Sequence, residues 1–382
     1  MAKIFKTILI VATLVLQFGC SKEEIPDPKA ERTILVYIAA NNNLKEYAEV
    51  NVSDLIKGAA EFGLEYDNLI VYISLPGEVP HLYRIDSKGM HLIKDYTQQN
   101  SLDKNVMANV LSDVKQLFPA PSNGIIFGSH GFGWMPRSIF ATRSDQMHPL
   151  TRDFGVDNMS SEGISAEEIA SILPDNAYDF IAFDACYMGS VEVVWALRKK
   201  CNYMLVSVAE VLAEGLPYRY MVSDLFAEGK SDLSSIAQKY YEIHNKSIYE
   251  FSRSATIAVV DCNYLEAMAS NLKNIIANYN GQINVKTIQI FDRTNFGRHF
   301  AYDIGDFVEH ISDSISSVQF YNQLNNSIIT KYSTPTLWSG STNSIVVEKF
   351  SGLSIFIPTQ QESENVMNAY KKTEWYRYIY GE

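Results

Sequence analysis

The chain has 382 residues, 47% of them hydrophobic and 20% charged, with a formal net charge of −12 at pH 7. That length can bury one large core or two smaller ones, and the composition is that of an ordinary globular domain rather than a low-complexity chain. The acidic balance leaves no basic stripe to neutralise phosphates, which argues against a nucleic-acid partner.

Residues 1–20, MAKIFKTILIVATLVLQFGC, stand apart from the rest. Lys3 and Lys6 precede an apolar run from Thr7 to Leu16, too short for a membrane span, and Gly19-Cys20 closes it. This resembles a bacterial lipoprotein signal, cut before Cys20 so that Cys20 becomes the lipidated N-terminus. Ser21-Lys22-Glu23-Glu24 is similar to the short acidic tag that directs some lipoproteins to the cell surface, and residues 21–31 read as a tether. The expectation is an exported protein held on the outer membrane by its lipid anchor. Three cysteines remain beyond the tether, Cys186, Cys201 and Cys262, and an odd number in an exported chain leaves at least one free thiol. No Cys/His spacing suggests zinc, so no metal site is expected.

From Thr33 the chain alternates two kinds of segment. Thr33–Ala40 is a continuous apolar run rich in β-branched residues, as in a buried parallel strand, and it ends in Asn41-Asn42-Asn43. A helical pattern runs from Leu44 to about Phe62, and a second strand covers 68–75. Residues 81–85 and 90–96 alternate as a hairpin would. A capped amphipathic helix spans 101–118, followed by the buried strand of NGIIFGSHG, 123–131. After a polar loop, Ser165 caps a helix to Leu173, and YDFIAFDA, 178–185, is a fourth buried strand. A helix at 191–199 and strands at 203–208 and 255–261 follow. The remainder is less regular: a helix to about Tyr279, a mixed stretch to 335, two strands within 343–358 and a closing helix at 365–379.

Buried strands alternating with amphipathic helices specify an α/β fold, a mostly parallel sheet with helices on both faces. Residues 32–262 form its core, and 263–382 an integrated C-terminal subdomain, since no linker separates them. Ligands in such sheets sit at the carboxyl ends of strands. Two of those ends carry chemistry, His130 among Gly128, Gly131 and Gly133, and Cys186 after Asp184. A cysteine nucleophile needs a thiolate, a proton donor for the leaving amine and donors for the oxyanion. His130 is the acid/base candidate, and the backbone amides of Gly131 and Cys186 are the oxyanion candidates. A helix starting near Gly189-Ser190 would lower the thiol pKa.

GSHGFGW and DACYMGSVEV resemble the histidine and cysteine blocks of the clostripain family of cysteine peptidases, which have a caspase-like fold. The likeness extends to TILVYIAANNNLKEYA, RDFGVDN, ISAEEIASIL, YMLVSVAEVLAEGLPY and GLSIFIP. It implies Cys186 as nucleophile and His130 as general acid/base, with no third residue named, acting on protein or peptide substrates. It requires no cofactor. Calcium dependence occurs in the family, although the acids in 151–168 lack the spacing of an EF-hand. Members are often processed between histidine and cysteine, where Arg143 has the most exposed context of three arginines. Departures concentrate after the cysteine, at Ala209–Leu212 and at Leu216 in place of a tryptophan.

Residues i and i+2 of a strand share a face about 6.6 Å apart. Asp184 and Cys186 would then look into one cleft whose span suits a long cationic side chain, and the resemblance implies that Asp184 is the floor of a pocket for a P1 Arg or Lys. The resemblance adds Glu214 as a second acid of that pocket, and two carboxylates grip a guanidinium well. The competing role for Asp184 is a cap on the following helix. Two other functions fit the same chain: a surface binding or adhesion module on a caspase-like scaffold, and a transpeptidase or amidase using the same dyad.

Overall fold

With apolar residues at nearly every position, Thr33–Ala40 has no face to offer water, and every residue of β1 (Arg32–Ala39) is buried. The structure is a computed structural model, and it describes residues 29–136, 157–158, 163–293, 299–341 and 344–381. The other strands of the main sheet are β2 (Asn68–Ser74), β3 (His81–Asp86), β4 (Gly89–Asp95), β5 (Ser122–Gly128), β6 (Tyr178–Asp184), β7 (Cys201–Val206) and β8 (Thr256–Asp261). Residues Tyr302–Asp303 form the short β9, and β10 (Ile328–Ser333) returns to the main sheet. Among the described residues that sheet has nine strands in the order β10-β8-β7-β6-β5-β1-β2-β3-β4. The five central strands are mutually parallel, and β3, β4, β8 and β10 pair antiparallel at the flanks.

Successive residues of β1 point to opposite faces, as the period of two demands. Leu35, Tyr37 and Ala39 enter one apolar core, and Ile34, Val36 and Ile38 the other. Helices α1 (Lys45–Phe62) and α2 (Lys104–Leu117) follow the expected segments, α2 starting where the Asp103 carboxylate accepts from the Asn105 and Val106 amides. Next come α3 (Ala166–Ile172), opened by a Ser165–Glu168 capping box, and α4 (Val191–Leu197), capped by Ser190. The second core is covered by α1, α5 (Tyr218–Leu225) and α6 (Leu233–Asn245). Gly58 brings α1 against α5, since a Cβ there would fall on the Arg219 carbonyl.

The C-terminal part is woven into this frame. After α7 (Leu265–Asn278), α8 (Ile304–Ile311) and α9 (Ser314–Ser327), β10 pairs with β8, so the boundary placed at 262/263 is not an edge of the sheet. The two strands expected within 343–358 shrink to two-residue pieces, β12 (Ile345–Val346) against β11 (Thr336–Leu337), and β13 (Ser354–Ile355) against β9. The closing helix is two helices, α10 (Glu364–Tyr370) and α11 (Glu374–Tyr380), because Thr373 turns out to cap the second.

Glu192, in the first turn of α4, is 1% exposed. One of its oxygens accepts from the Phe356 amide at 2.9 Å and the other has no partner. Burial disfavours the carboxylate and raises its pKa to about 7. In the unfolded chain the same group ionises at its ordinary value, so between about pH 4.5 and 7 the folded state holds the extra proton. Its contribution is therefore complete below the unfolded pKa and lost as pH rises through the folded one. Wild-type stability should fall by on the order of 3 kcal/mol over that window. Glu192→Gln should flatten that part of a denaturant-midpoint profile against pH, and a profile identical to wild type would contradict the assignment.

Candidate active site

The two strands that lead to His130 and Cys186 end level with each other, Gly128 of β5 being paired with Asp184 of β6. Past β5, the Ser129 hydroxyl donates to the Ala39 carbonyl at 2.7 Å, which ties the chain to the end of β1. His130 follows, 4% exposed, with its Nε2 2.6 Å from the Asn43 Oδ1. An amide oxygen only accepts, so Nε2 carries the hydrogen and the neutral ring keeps its lone pair on Nδ1. Asn43 is the partner that sequence reasoning did not name. The signal was the polar Asn41–Asn43 turn at a strand end. That turn is itself organised: Asn42 Oδ1 accepts from the Leu44 amide at 2.8 Å, and Asn41 Nδ2 donates to Asp157 Oδ1 at 2.8 Å.

Gly131 packs directly on the main chain of Cys186. A Cβ at Gly131 would run into the Cys186 carbonyl oxygen and stand 2.7 Å from its nitrogen. The histidine and cysteine segments are thus in contact through the two residues expected to supply oxyanion donors. The turn after β6 is tight. Tyr187 adopts φ 61°, a left-handed conformation uncommon for a residue with a side chain, and its ring is edge-on to Phe300 at 4.8 Å between centroids. The Tyr187 amide donates to the Ala209 carbonyl at 3.0 Å, and the Gly189 amide to the Ser207 carbonyl at 2.7 Å.

Cys186 is fully buried. Its sulfur accepts from the Val211 amide at 3.1 Å and reaches the Val211 carbonyl at 3.6 Å. The divergent 209–212 segment therefore lies across the thiol. Glu210 anchors that segment through a buried pair with Arg293, whose Nε and Nη2 stand 3.0 and 2.5 Å from one Glu210 oxygen. The Arg293 guanidinium in turn sits 3.7 Å above the Trp338 ring.

The expected common face for Asp184 and Cys186 is not what the structure has. The strand stops at Asp184 rather than at Ala185, and Cys186 belongs to the turn. Asp184 points toward the side of Leu216 and Tyr218, accepting from the Leu216 amide at 3.1 Å and the Tyr218 hydroxyl at 2.7 Å, while the thiol goes to Val211. Nor does Asp184 cap the following helix, since Ser190 does. The two acids do not share one wall either. Asp184 is fully buried, whereas Glu214 is exposed and lines a cavity of about 490 Å³ with Tyr47, Asp54, Leu216, Tyr240 and His244. Both charges act on His244: burial lowers its pKa, opposed by the Ser252 carbonyl at 3.2 Å from Nδ1 and by Glu214 and Asp184. Cys20 and Arg143 lie outside the described residues. Among the described residues no group of three or more His, Cys, Asp or Glu is arranged to hold a metal ion.

Solved structures of the same architecture are cysteine proteases. An inactive zymogen C11 protease from Parabacteroides distasonis superposes with a TM-score of 0.78 at 27% identity, over 92% of this chain and 99% of that one. The secreted C11 cysteine protease iotapain from Bacteroides thetaiotaomicron gives 0.80 at 26% identity, over 92% and 99%. A clostripain from Bacteroides thetaiotaomicron in complex with the peptide inhibitor BTN-VLTK-AOMK gives 0.51 at 27% identity, over 59% and 98%. A comparison with curated proteins found no match. The fold is caspase-like, and the protein is a cysteine-type endopeptidase. It belongs to the clostripain family, peptidase C11, whose profile matches residues 36–380.

The Gly131 contact yields a direct test. Gly131→Ala must push the His130 and Cys186 turns apart, at about 1–3 kcal/mol by the usual cost of overpacking. Both the denaturant midpoint and the rate of thiol alkylation at Cys186 should change, and a variant matching wild type in both would refute the contact.

Proposed function

We propose that this endopeptidase cleaves after Arg or Lys, with Cys186 as nucleophile and His130 as general acid/base. The contact of Gly131 with the Cys186 main chain carries the reading, because it brings the two strand-end turns together. In this mechanism Nδ1 of His130 first takes the Cys186 thiol proton, the resulting thiolate attacks the scissile carbonyl, and the oxyanion faces the amides of Gly131 and Cys186. His130, its Nε2 engaged by Asn43, passes a proton through Nδ1 to the leaving amine. Water then takes the acyl group from sulfur, and Nδ1 accepts the proton of that water. The sulfur lies beneath the Val211 main chain, so residues 209–212 have to shift before a substrate carbonyl reaches it.

Negative charge in and behind the cavity walled by Leu216 supports the cationic P1 preference. Glu214 and Asp54 line the cavity among tyrosine rings, and Asp184 lies behind Leu216. The clostripain named above was bound to an inhibitor whose peptide part ends in Lys. Cys186→Ala and His130→Ala should each abolish cleavage of Arg and Lys peptides while leaving the fold intact. Glu214→Gln should lower kcat/KM for Arg substrates about tenfold, less than a buried pair would give because the side chain is exposed, and leave neutral P1 substrates unchanged. An unbiased peptide library cut after neutral or acidic residues would overturn the specificity, and activity surviving in Cys186→Ala would overturn the mechanism.

The N-terminal reading supports an exported, lipid-anchored location, and iotapain's description as secreted is in keeping with export. Among the described residues no helix is long and apolar enough to cross a membrane. The precursor is cut before Cys20 and held at the outer membrane by lipid on that residue, facing protein or peptide substrates outside. Mass spectrometry of the mature N-terminus should find a lipid-modified Cys20, and an unmodified N-terminus beyond residue 20 would refute it.

A further inference from the structure

The sheet brings together two cysteines that the peptidase reading does not use. Cys201 opens β7, and Cys262 follows directly on the last residue of β8. Strands β7 and β8 are antiparallel, with Tyr203 opposite Asp261. Cys262 opens the short 3-10 turn that follows β8, just past the Tyr203–Asp261 pair, and so comes beside the start of β7. Their side chains enter the same apolar core, 3% and 5% exposed, and the two sulfurs are 3.9 Å apart. A disulfide bond is roughly 2.05 Å long, so the two sulfurs already stand within about 2 Å of bonding distance.

We infer that Cys201 and Cys262 form a disulfide with each other, and not with Cys186, when the chain folds in an oxidising medium. As the S–S bond forms, the two thiols give up two protons and two electrons. A disulfide-bearing oxidant, such as a thiol–disulfide oxidoreductase or oxidised glutathione, takes them and is reduced to two thiols. The neighbouring Cys201 sulfur and burial both push the Cys262 thiol well above its ordinary pKa, so the finished fold presents little thiolate for exchange. The bond therefore forms during folding, while the strand ends are still open to solvent.

The pairing is selective in a way the peptidase chemistry requires. A third cysteine in the same chain is a hazard, because a nucleophilic thiol left beside two free ones invites the wrong bond. Here the sulfur of Cys186 is held by the Val211 main chain, away from the pair, while the other two face each other. The bond would close a loop between cysteines 61 positions apart. That loop contains Val211, Glu214, Leu216 and His244, so it would tether both the segment across the thiol and much of the cavity wall. Cross-linking a loop of this kind acts mainly by limiting the unfolded chain.

The test needs no knowledge of substrate. Full-length protein is unfolded, refolded across a series of reduced and oxidised glutathione ratios, alkylated with iodoacetamide under denaturing conditions, digested and weighed. At oxidising ratios the peptides carrying Cys201 and Cys262 should appear linked, two hydrogens lighter than their sum, with neither alkylated and neither joined to the Cys186 peptide. The thermal midpoint should be a few degrees higher in the oxidised buffer than in the reduced one, and Cys201→Ser/Cys262→Ser should lose that difference while keeping peptidase activity. Alkylation of both cysteines at the most oxidising ratio, or a link from either to Cys186, would overturn the inference.

Discussion

The arrangement of the whole site hangs on a missing side chain, that of Gly131 where it lies on the Cys186 main chain. Two parallel strands can end side by side without their following turns meeting. Here they meet because nothing stands between the Gly131 Cα and the Cys186 peptide. The level pairing of Gly128 with Asp184 brings the strands to the same height, and the glycine closes the remaining gap. From that contact follow the nearness of His130 to the thiol segment, the turn through Tyr187 at φ 61°, and the hydrogen bonds of the cysteine turn to Ser207 and Ala209. The strain of a left-handed tyrosine is tolerable because its ring is locked against Phe300 and its amide is paired.

The segment from Ala209 to Leu212 connects this turn to the rest of the molecule. Its main chain occupies the Cys186 sulfur, and its Glu210 side chain reaches Arg293, which rests on Trp338. A buried ion pair of this kind adds little net stability compared with apolar packing, yet removing one partner is costly because the other stays charged and dry. The C-terminal part of the chain thus holds the thiol segment in one position, while Ser354 and Phe356 grip the Gly189 carbonyl and the Glu192 carboxyl group on the other side of the turn.

Much of the fold was legible in the sequence. Continuous apolar runs at 33–40, 68–75, 123–131 and 178–185 mark strands buried on both faces, and Ser165 and Asp103 mark helix starts through side-chain geometry that short-range sequence encodes. The strand-end rule singled out the histidine and cysteine turns. What escaped was non-local or turned on one residue. Ending β6 at Asp184 instead of Ala185 sends the acid and the thiol to different sides, and no periodicity predicts where a strand stops to that accuracy. The hydrogen bond from His130 to Asn43 joins residues 87 positions apart, and the cover over the thiol depends on Arg293 from a region that reads as irregular. The C-terminal strands were the weakest reading, since two-residue pairings carry almost no pattern.

The place of β10 in the sheet also sets an order in time. A chain made from its N-terminus presents β1 through β8 well before residues 328–333 exist, so the outer edge of β8 stays unpaired until nearly all of the protein has emerged. Glu210 likewise waits for Arg293. Every residue of the histidine and cysteine turns is present by then, but the sheet has an open edge and the segment over the thiol lacks its cation. A chain ended before residue 328 would keep His130 and Cys186 and lose the strand that seals β8, making it prone to associate edge to edge with its own copies.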